Sequence, residues 1–232
     1  MELETIKSQR LYVKVAEQIS KLVRDGNIKV GDKLPAERDL AERLGVSRPT
    51  IREAMIALEL SGTVEIRTGS GIYIIDQKPG LTLVDEGVGP FEIMDTRYII
   101  ETEACALAAI HITDEQIVQL KQALIEMEEE EKQLNSSEQA DMKFHLIIAE
   151  ASQNSAISAI VAWLWELRNK SHLSTVFMAK VRDEGIHPSI NEHKKIIEAL
   201  EKRNPEKARN AMKLHIENAS DAASAYFEAN TE

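Results

Sequence analysis

Between about residue 36 and residue 76 the sequence shows first one helical pattern, then a second, and then the alternation of a β-hairpin. This succession limits the possible folds more than any other feature. The run AERDLAERLG predicts a short helix that ends at Gly45, because glycine readily adopts the left-handed conformation found after helix C-termini. Ser47 then suits the N-cap of a second helix, whose apolar residues recur at helical spacing. In TVEIRTGSGIYII, apolar residues alternate on both sides of the glycine-rich TGSG, which predicts a β-hairpin.

A further helix is predicted at residues 10–25, where apolar residues also recur at helical spacing. The order helix, helix, turn, helix and hairpin predicts a winged helix-turn-helix domain, which we assign to residues 1–76. Residues 77–90 contain two prolines and three glycines, so they predict a linker.

Residues 91–232 predict helices only, and the fold class is therefore mostly α with a small β-hairpin wing. Thr113, followed by Gln116 three residues later, has the pattern of a capping box, and Pro205 suits the first turn of a last helix. We expect four to six helices in this all-helical domain, including one long helix from about Ala156 to Lys180.

Composition and charge restrict the location of the chain and its partners. The net charge is −11, but residues 1–76 contain 12 basic and 12 acidic residues, so the net acidity lies entirely in the rest. The single cysteine excludes an intrachain disulfide, which fits a reducing compartment. No run of about 18 apolar residues is present, and the N-terminus lacks the apolar core of a signal peptide. We therefore expect a cytoplasmic protein without a membrane partner.

In a winged helix-turn-helix domain, the second helix of the motif enters the major groove with its N-terminal residues facing base edges. The candidate DNA contacts in this helix are Ser47, Arg48, Thr50 and Arg52. Arg38 lies at the start of the preceding helix, and Arg67 and backbone N–H groups lie near the hairpin tip, where they suit a DNA backbone or groove. The alternative for each arginine is a solvated helical face on which it pairs with glutamates such as Glu37 and Glu53.

The segment GDKLPAERDLAERLGVSRPTIREAMIALELSGTVEIRTGSGIYI resembles the GntR family of bacterial transcription factors. The segments from FEIMDTRYIIETEACALAA to KLHIENA resemble the all-helical FCD ligand domain of its FadR subgroup. Within them, GPFEIMDTRYIIE and DMKFHLIIAEASQNS are similar to hexuronate repressors of the UxuR and ExuR type. The resemblance implies a DNA-binding regulator in which Arg38, Arg48, Arg52 and Gly69 contact DNA.

The stretch DMKFH places Asp141 and His145 on one face of a predicted helix. Alone, this pair fits a metal site, a surface ion pair or chance. His193 and His215 lie 22 residues apart on the last two predicted helices, and a closed bundle can direct all four side chains to one point. One carboxylate and three imidazoles suit a divalent metal, most readily Zn with Ni as the second choice, and the FadR-type domains that contain a metal show the same spacing. For the other three histidines, His111, His172 and His187, we expect surface or structural roles.

The metal would lie beside an effector pocket for a small carboxylate of the sugar-acid class. Arg97 suits bidentate pairing with that carboxylate, although an ion pair with Glu101 at i+4 explains it equally well from the residues alone. The resemblance favours the effector. Trp165 and Arg168 lie on a helix that suits the pocket wall, where a tryptophan could stack on a sugar ring or pack in the core.

The winged helix-turn-helix pattern predicts binding of palindromic operator DNA by a homodimer, and the resemblance implies a repressor that is released by a sugar acid. Two alternatives remain at this stage. A metal-sensing regulator would respond to the ion itself. A metal-dependent hydrolase would activate water at open coordination positions, but no general base lies at a motif position.

Overall fold

A computed structural model describes residues 9–76, 85–132, 138–187 and 189–227, and these form two compact units. The first unit contains the described parts of Met1–Glu92, Ser171–Phe177 and Ser224–Glu232, and the second contains those of Ile93–Lys170 and Met178–Ala223. The first helices and the hairpin strands are α1 Leu11–Arg24, α2 Glu37–Leu44, α3 Arg48–Leu60, β1 Val64–Arg67 and β2 Gly71–Ile74. The later helices are α4 Pro90–His111, α5 Asp114–Glu130, α6 Gln139–Ala151, α7 Ser155–Lys170, α8 His172–Asp183, α9 Ile190–Glu201 and α10 Pro205–Ser224. A short 3-10 turn, Ala225–Phe227, follows α10.

The predicted turn between α2 and α3 is confirmed. Gly45 has φ +64° and caps α2 in the left-handed conformation, and the Ser47 hydroxyl accepts a hydrogen bond from the Thr50 N–H at 3.3 Å. Ile51, Met55 and Leu58 of α3 are buried in the core of the unit, as their helical spacing predicts.

The wing is an antiparallel hairpin in which Val64 pairs with Ile74 and Arg67 with Gly71. Its three-residue tip contains Gly69 at φ +74°, a conformation that favours glycine. The mostly α fold class with a small two-stranded wing is confirmed. The boundaries proposed at residues 76 and 90 stay a prediction, and part of the linker, residues 77–84, lies outside the described residues.

In the second half of the chain, the Thr113 capping box and the start of α10 at Pro205 are confirmed. The single long helix expected from Ala156 to Lys180 is wrong, because it is divided into α7 and α8 at Ser171. The Ser171 hydroxyl accepts from the Ser174 N–H at 3.3 Å, as an N-cap does, and lies 2.6 Å from the Val88 carbonyl. Seven helices therefore lie between Pro90 and Ser224 in the described residues, and the estimate of four to six was too low.

Mainly aliphatic side chains, with Phe144 among them, fill the core of the second unit. Phe144 of α6, Leu120 of α5 and Met212 of α10 are completely buried in it. This core fixes α6, α9 and α10, the helices that carry the four predicted metal ligands. None of the described helices is long and apolar enough to cross a membrane.

Candidate functional site

The four side chains predicted to bind a metal come together in the second unit. One ligand atom from each of Asp141, His145, His193 and His215 lies within 4.8 Å of the others, and all four residues are buried. His193 Nε2 is 3.0 Å from Asp141 Oδ1, and His145 Nε2 is 3.5 Å from the same oxygen. The imidazole rings of His193 and His215 have centroids 4.4 Å apart. The Asp and His residues therefore form one cluster rather than separate surface pairs.

Each imidazole faces an oxygen through Nδ1, which leaves Nε2 for the cluster. The three Nδ1 partners are Glu101 Oε2 at 2.5 Å from His145, the Ser189 carbonyl at 2.9 Å from His193, and Glu192 Oε2 at 3.1 Å from His215. Because a carbonyl oxygen can only accept, Nδ1 of His193 donates, and a neutral His193 presents an Nε2 lone pair to Asp141. Outer partners of this kind set the tautomer and orientation of metal-binding histidines.

Electrostatics keeps the carboxylates of this cluster ionised. Burial would raise the pKa of Asp141, but the adjacent imidazoles of His145 and His193 together outweigh it and hold that pKa well below its usual range. Burial likewise opposes ionisation of Glu101, but Arg97 and His145 lower its pKa to about 2. For His215, burial and then the neighbouring His193 lower the pKa to about 4, so this imidazole is neutral at pH 7 and able to act as a ligand.

The donor set fits a divalent cation. Both ring nitrogens of His145 are buried without hydrogen-bond geometry toward any described residue, although Nδ1 lies at ion-pair distance from Glu101. A buried lone pair without a partner is costly, and a neutral His193 Nε2 facing an ionised carboxylate oxygen at 3.0 Å needs a proton or a cation between them. Three imidazoles and one carboxylate are a ligand set of zinc and neighbouring transition metals.

A cavity of about 230 Å³ lies beside the cluster and is lined by residues of the second unit only. Asp141 and His215 form part of its wall, so two of the four predicted metal ligands border the cavity directly. The apolar part of the lining includes Met94, Met178 and Val181. A volume of this size suits a small polar molecule rather than a nucleotide cofactor.

Arg97 both lines the cavity and forms the ion pair that its spacing suggested. Its Nε donates to Glu101 Oε1 at 2.7 Å, and its side chain is only 10% exposed. Glu101 also contacts His145, so a buried chain of charges connects the cavity arginine with a metal ligand. The ion pair with Glu101 is confirmed, and pairing of Arg97 with a carboxylate effector stays a prediction.

Trp165 lies close to both cavity arginines but is not part of the cavity wall. It is 1% exposed, and its ring lies 4.3 Å from the Arg97 guanidinium and 5.0 Å from that of Arg168. A sugar ring therefore has no access to Trp165. Of the two roles that the sequence left open, packing in the core holds, and the ring also makes cation–π contacts with two arginines. Trp163, by contrast, is 55% exposed.

Five polar residues that line the cavity were not among the effector contacts predicted from the sequence. They are Glu138, His187, Ser189, Glu192 and Asn218. Glu138 is buried at φ +52° and pairs with Arg168 and, at 3.4 Å, with Arg182. Glu192 could have been recognised from the sequence, because it directly precedes the predicted ligand His193 on the same helix. His187 was expected to have a surface or structural role, and its position in the wall changes that interpretation.

The predicted DNA contacts lie in the first unit and differ in exposure. Arg38 is 87% exposed, Arg67 is 53% exposed, and Arg48 is 51% exposed and paired with Glu37. Arg52 is different, because its side chain is 9% exposed and also pairs with Glu37. Ser47 is exposed, whereas Thr50 and Gly69 are half-buried. Their contacts with DNA stay predictions.

Comparison with known proteins places the chain in a family. Residues 11–74 match the model of the bacterial regulatory proteins of the gntR family, and residues 92–218 match the FCD domain. The Uxu operon transcriptional regulator of Escherichia coli is 36% identical over 91% of this chain and 86% of its own length. The Exu regulon transcriptional regulator of the same organism is 34% identical over 93% and 85%. The chain therefore belongs to the GntR family and carries an FCD domain.

A solved GntR-family structure from Pseudomonas syringae has a TM-score of 0.51 and 20% identity over 93% of this chain and 85% of that one, which supports the fold alone. Both Escherichia coli relatives are named as transcriptional regulators. The chain is a transcriptional regulator and not an enzyme, which sets aside the metal-dependent hydrolase. The predicted resemblance to this family is confirmed.

Proposed function

We propose that this regulator is a repressor whose effector, a monoanionic sugar acid of the hexuronate type, binds in the cavity beside a divalent metal. The observation that carries the proposal is the position of the Asp141, His145, His193 and His215 cluster beside a cavity whose wall includes Asp141 and His215. When bound there, the metal, most readily zinc, would supply positive charge and open coordination positions to a carboxylate and an adjacent hydroxyl.

The charges around the cavity favour one negative charge on the ligand. The carboxylates that line it or pair with its arginines are Glu101, Glu138, Asp141 and Glu192, and the guanidiniums are Arg97, Arg168 and Arg182. With the histidines neutral, as metal ligands are, a bound divalent cation gives this set one excess positive charge. The metal-loaded site therefore matches one negative charge, which favours a monocarboxylate over a dicarboxylate.

Arg97 and Arg168 would orient the ligand. Both line the cavity, and Trp165 holds both guanidinium planes, so little entropy is lost when they bind a carboxylate or hydroxyl. Glu192 and Asn218, joined by a 2.6 Å hydrogen bond, offer an acceptor and a donor to sugar hydroxyls. Similarity to regulators named for the Uxu operon and the Exu regulon supports the hexuronate class.

On the DNA side, we propose that a homodimer binds palindromic operator DNA through Ser47, Arg48, Thr50 and Arg52, with Arg38, Arg67 and Gly69 as further contacts. A location in the cytoplasm accords with a DNA-binding role. Release of DNA requires that the effector bind the DNA-free arrangement more tightly than the DNA-bound one.

The test combines thermal unfolding with DNA binding. Metal-loaded and chelator-treated protein is melted with hexuronates, their keto isomers, gluconate, lactate and citrate, and a ligand at 100 times its Kd should add about 2.7 kcal/mol of stability. We expect a shift for one monocarboxylate only when metal is present, together with release of a duplex selected in vitro with the wild-type protein. Release by metal alone would establish a metal sensor instead. The absence of any shift by the acids would refute the effector proposal.

A further inference from the structure

Arg52 is held inside the first unit by contacts from two directions. Its Nε donates to Glu37 Oε2 at 2.7 Å, and another guanidinium nitrogen donates to the hydroxyl of Ser224. Its guanidinium carbon also lies 4.9 Å from the ring of Phe91. With 9% of the side chain exposed, Arg52 cannot reach a base or a phosphate in this conformation.

The segment that contacts Arg52 is the very end of the described chain. Ser224 is the last residue of α10, and the 3-10 turn Ala225–Phe227 follows it. The ring of Phe227 lies against those of Phe91 and Phe177, with centroid distances of 5.9 and 5.6 Å. Tyr226 and Phe227 are both buried. We call Ser224–Phe227 the C-terminal turn. The aromatic cluster fixes this turn beside the recognition helix α3.

Glu37 acts on the same helix from the other side. Its carboxylate pairs with Arg48 as well as with Arg52, so two of the arginines predicted to read DNA share one acidic partner. DNA phosphates would have to compete with this carboxylate. The contact from Ser224 adds a second restraint, but only on Arg52.

We infer that the C-terminal turn is an autoinhibitory contact: Ser224, with Glu37, holds Arg52 away from DNA, and DNA binding requires its release. The inference goes beyond effector binding and depends on Arg52 as a DNA contact. The link to the ligand, in contrast, rests on the proposed function. Ala219, Ala222 and Ala223 of α10 line the cavity directly before Ser224, so a ligand that fixes this last turn of α10 would also stabilise the contact with Arg52.

The test measures the affinity of the full-length protein for the selected duplex by fluorescence anisotropy. The variants are Ser224→Ala, which removes the hydroxyl, Ser224→Thr, which keeps it, and Ser158→Ala, a matched control on α7. A hydrogen bond to a charged group changes an equilibrium by roughly tenfold. If the held conformation dominates, Ser224→Ala should bind DNA about three- to tenfold more tightly, because the competent fraction rises. The other two variants should stay within about twofold of wild type.

A double-mutant cycle with Arg52→Gln separates this role from a general structural one. Arg52→Gln weakens binding by itself, and low salt keeps its affinity measurable. Because Ser224 acts through Arg52, Ser224→Ala should have no effect in the Arg52→Gln background. Unchanged or weaker binding by Ser224→Ala, or the same gain in both backgrounds, would overturn the inference. If no sugar acid alters DNA binding by the wild type, the proposed function fails, whereas the result of this cycle stands.

Discussion

Glu192 offers the sharpest test of the metal site, because it touches the site without being one of the four candidate ligands. Its carboxylate accepts hydrogen bonds from His215 Nδ1 at 3.1 Å and from Asn218 at 2.6 Å. Burial opposes its ionisation, but the hydrogen bonds from His215 and Asn218, together with the charges of the neighbouring histidines, outweigh it and lower the pKa of Glu192. The carboxylate therefore fixes the tautomer in which His215 presents Nε2 to the cluster. Glu192→Gln keeps the shape and removes the charge.

The expected loss follows from this single contact. Partners of metal-bound histidines typically change metal affinity by about 10- to 100-fold when they are replaced, which corresponds to about 1.4–2.7 kcal/mol. The amide of Gln can still accept through its oxygen, so we expect the lower half of that range for Glu192→Gln. His215→Ala removes a ligand and should lose more.

Competition with a chelating dye measures the metal affinity, and thermal unfolding at fixed free metal measures the corresponding stability. Glu201→Gln is the matched control, because Glu201 lies on the same helix and pairs with the exposed Lys121 at 2.6 Å. We expect the control to keep wild-type metal affinity. Equal affinities for Glu192→Gln and wild type would refute the argument that Glu192 orients a metal ligand, as would an equal loss in the control.

Three further predictions use other parts of the structure. In Trp163→Phe protein, the remaining buried Trp165 should change its emission when the sugar acid engages the arginines beside it, and an unchanged spectrum at saturation would contradict their role. Burial raises the pKa of the Cys105 thiol, so a thiol reagent should label it only at the rate of unfolding, and fast labelling of native protein would contradict its burial. A Cβ at Gly89 would lie 2.0 Å from the Glu53 carboxylate, which accepts the Glu92 N–H of α4. Gly89→Ala should therefore lower the free energy of unfolding by about 1 kcal/mol, measured in urea, as loss of a helix cap does.

The sequence alone predicted those parts of the fold that depend on local chemistry. The left-handed Gly45, the Ser47 N-cap and the Thr113 capping box each depend on residues within one helical turn, and all three are confirmed. The convergence of the Asp141 helix with those of His193 and His215 was also predicted, but bundle closure only allows it, and the prediction rested on the resemblance to metal-containing FadR-type domains.

Features that depend on distant partners were not predictable in this way. Ser171 divides a continuous apolar pattern because its hydroxyl meets the carbonyl of Val88, more than 80 residues away in sequence. Trp165 has the spacing of a pocket or core residue, and only the structure shows that Arg97 and Arg168 occupy its surroundings. Periodicity indicates which face of a helix is buried, but not which polar group meets that face.

Helix α10 connects the two proposals physically. It carries the candidate ligand His215, then cavity residues that include Asn218 and Ala222, and ends at Ser224 in contact with Arg52. Ser224 follows His215 by nine residues, which is about 13.5 Å of helix at 1.5 Å per residue. The proposed coupling runs along this helix, because a ligand that orders its cavity residues would favour the contact of Ser224 with Arg52.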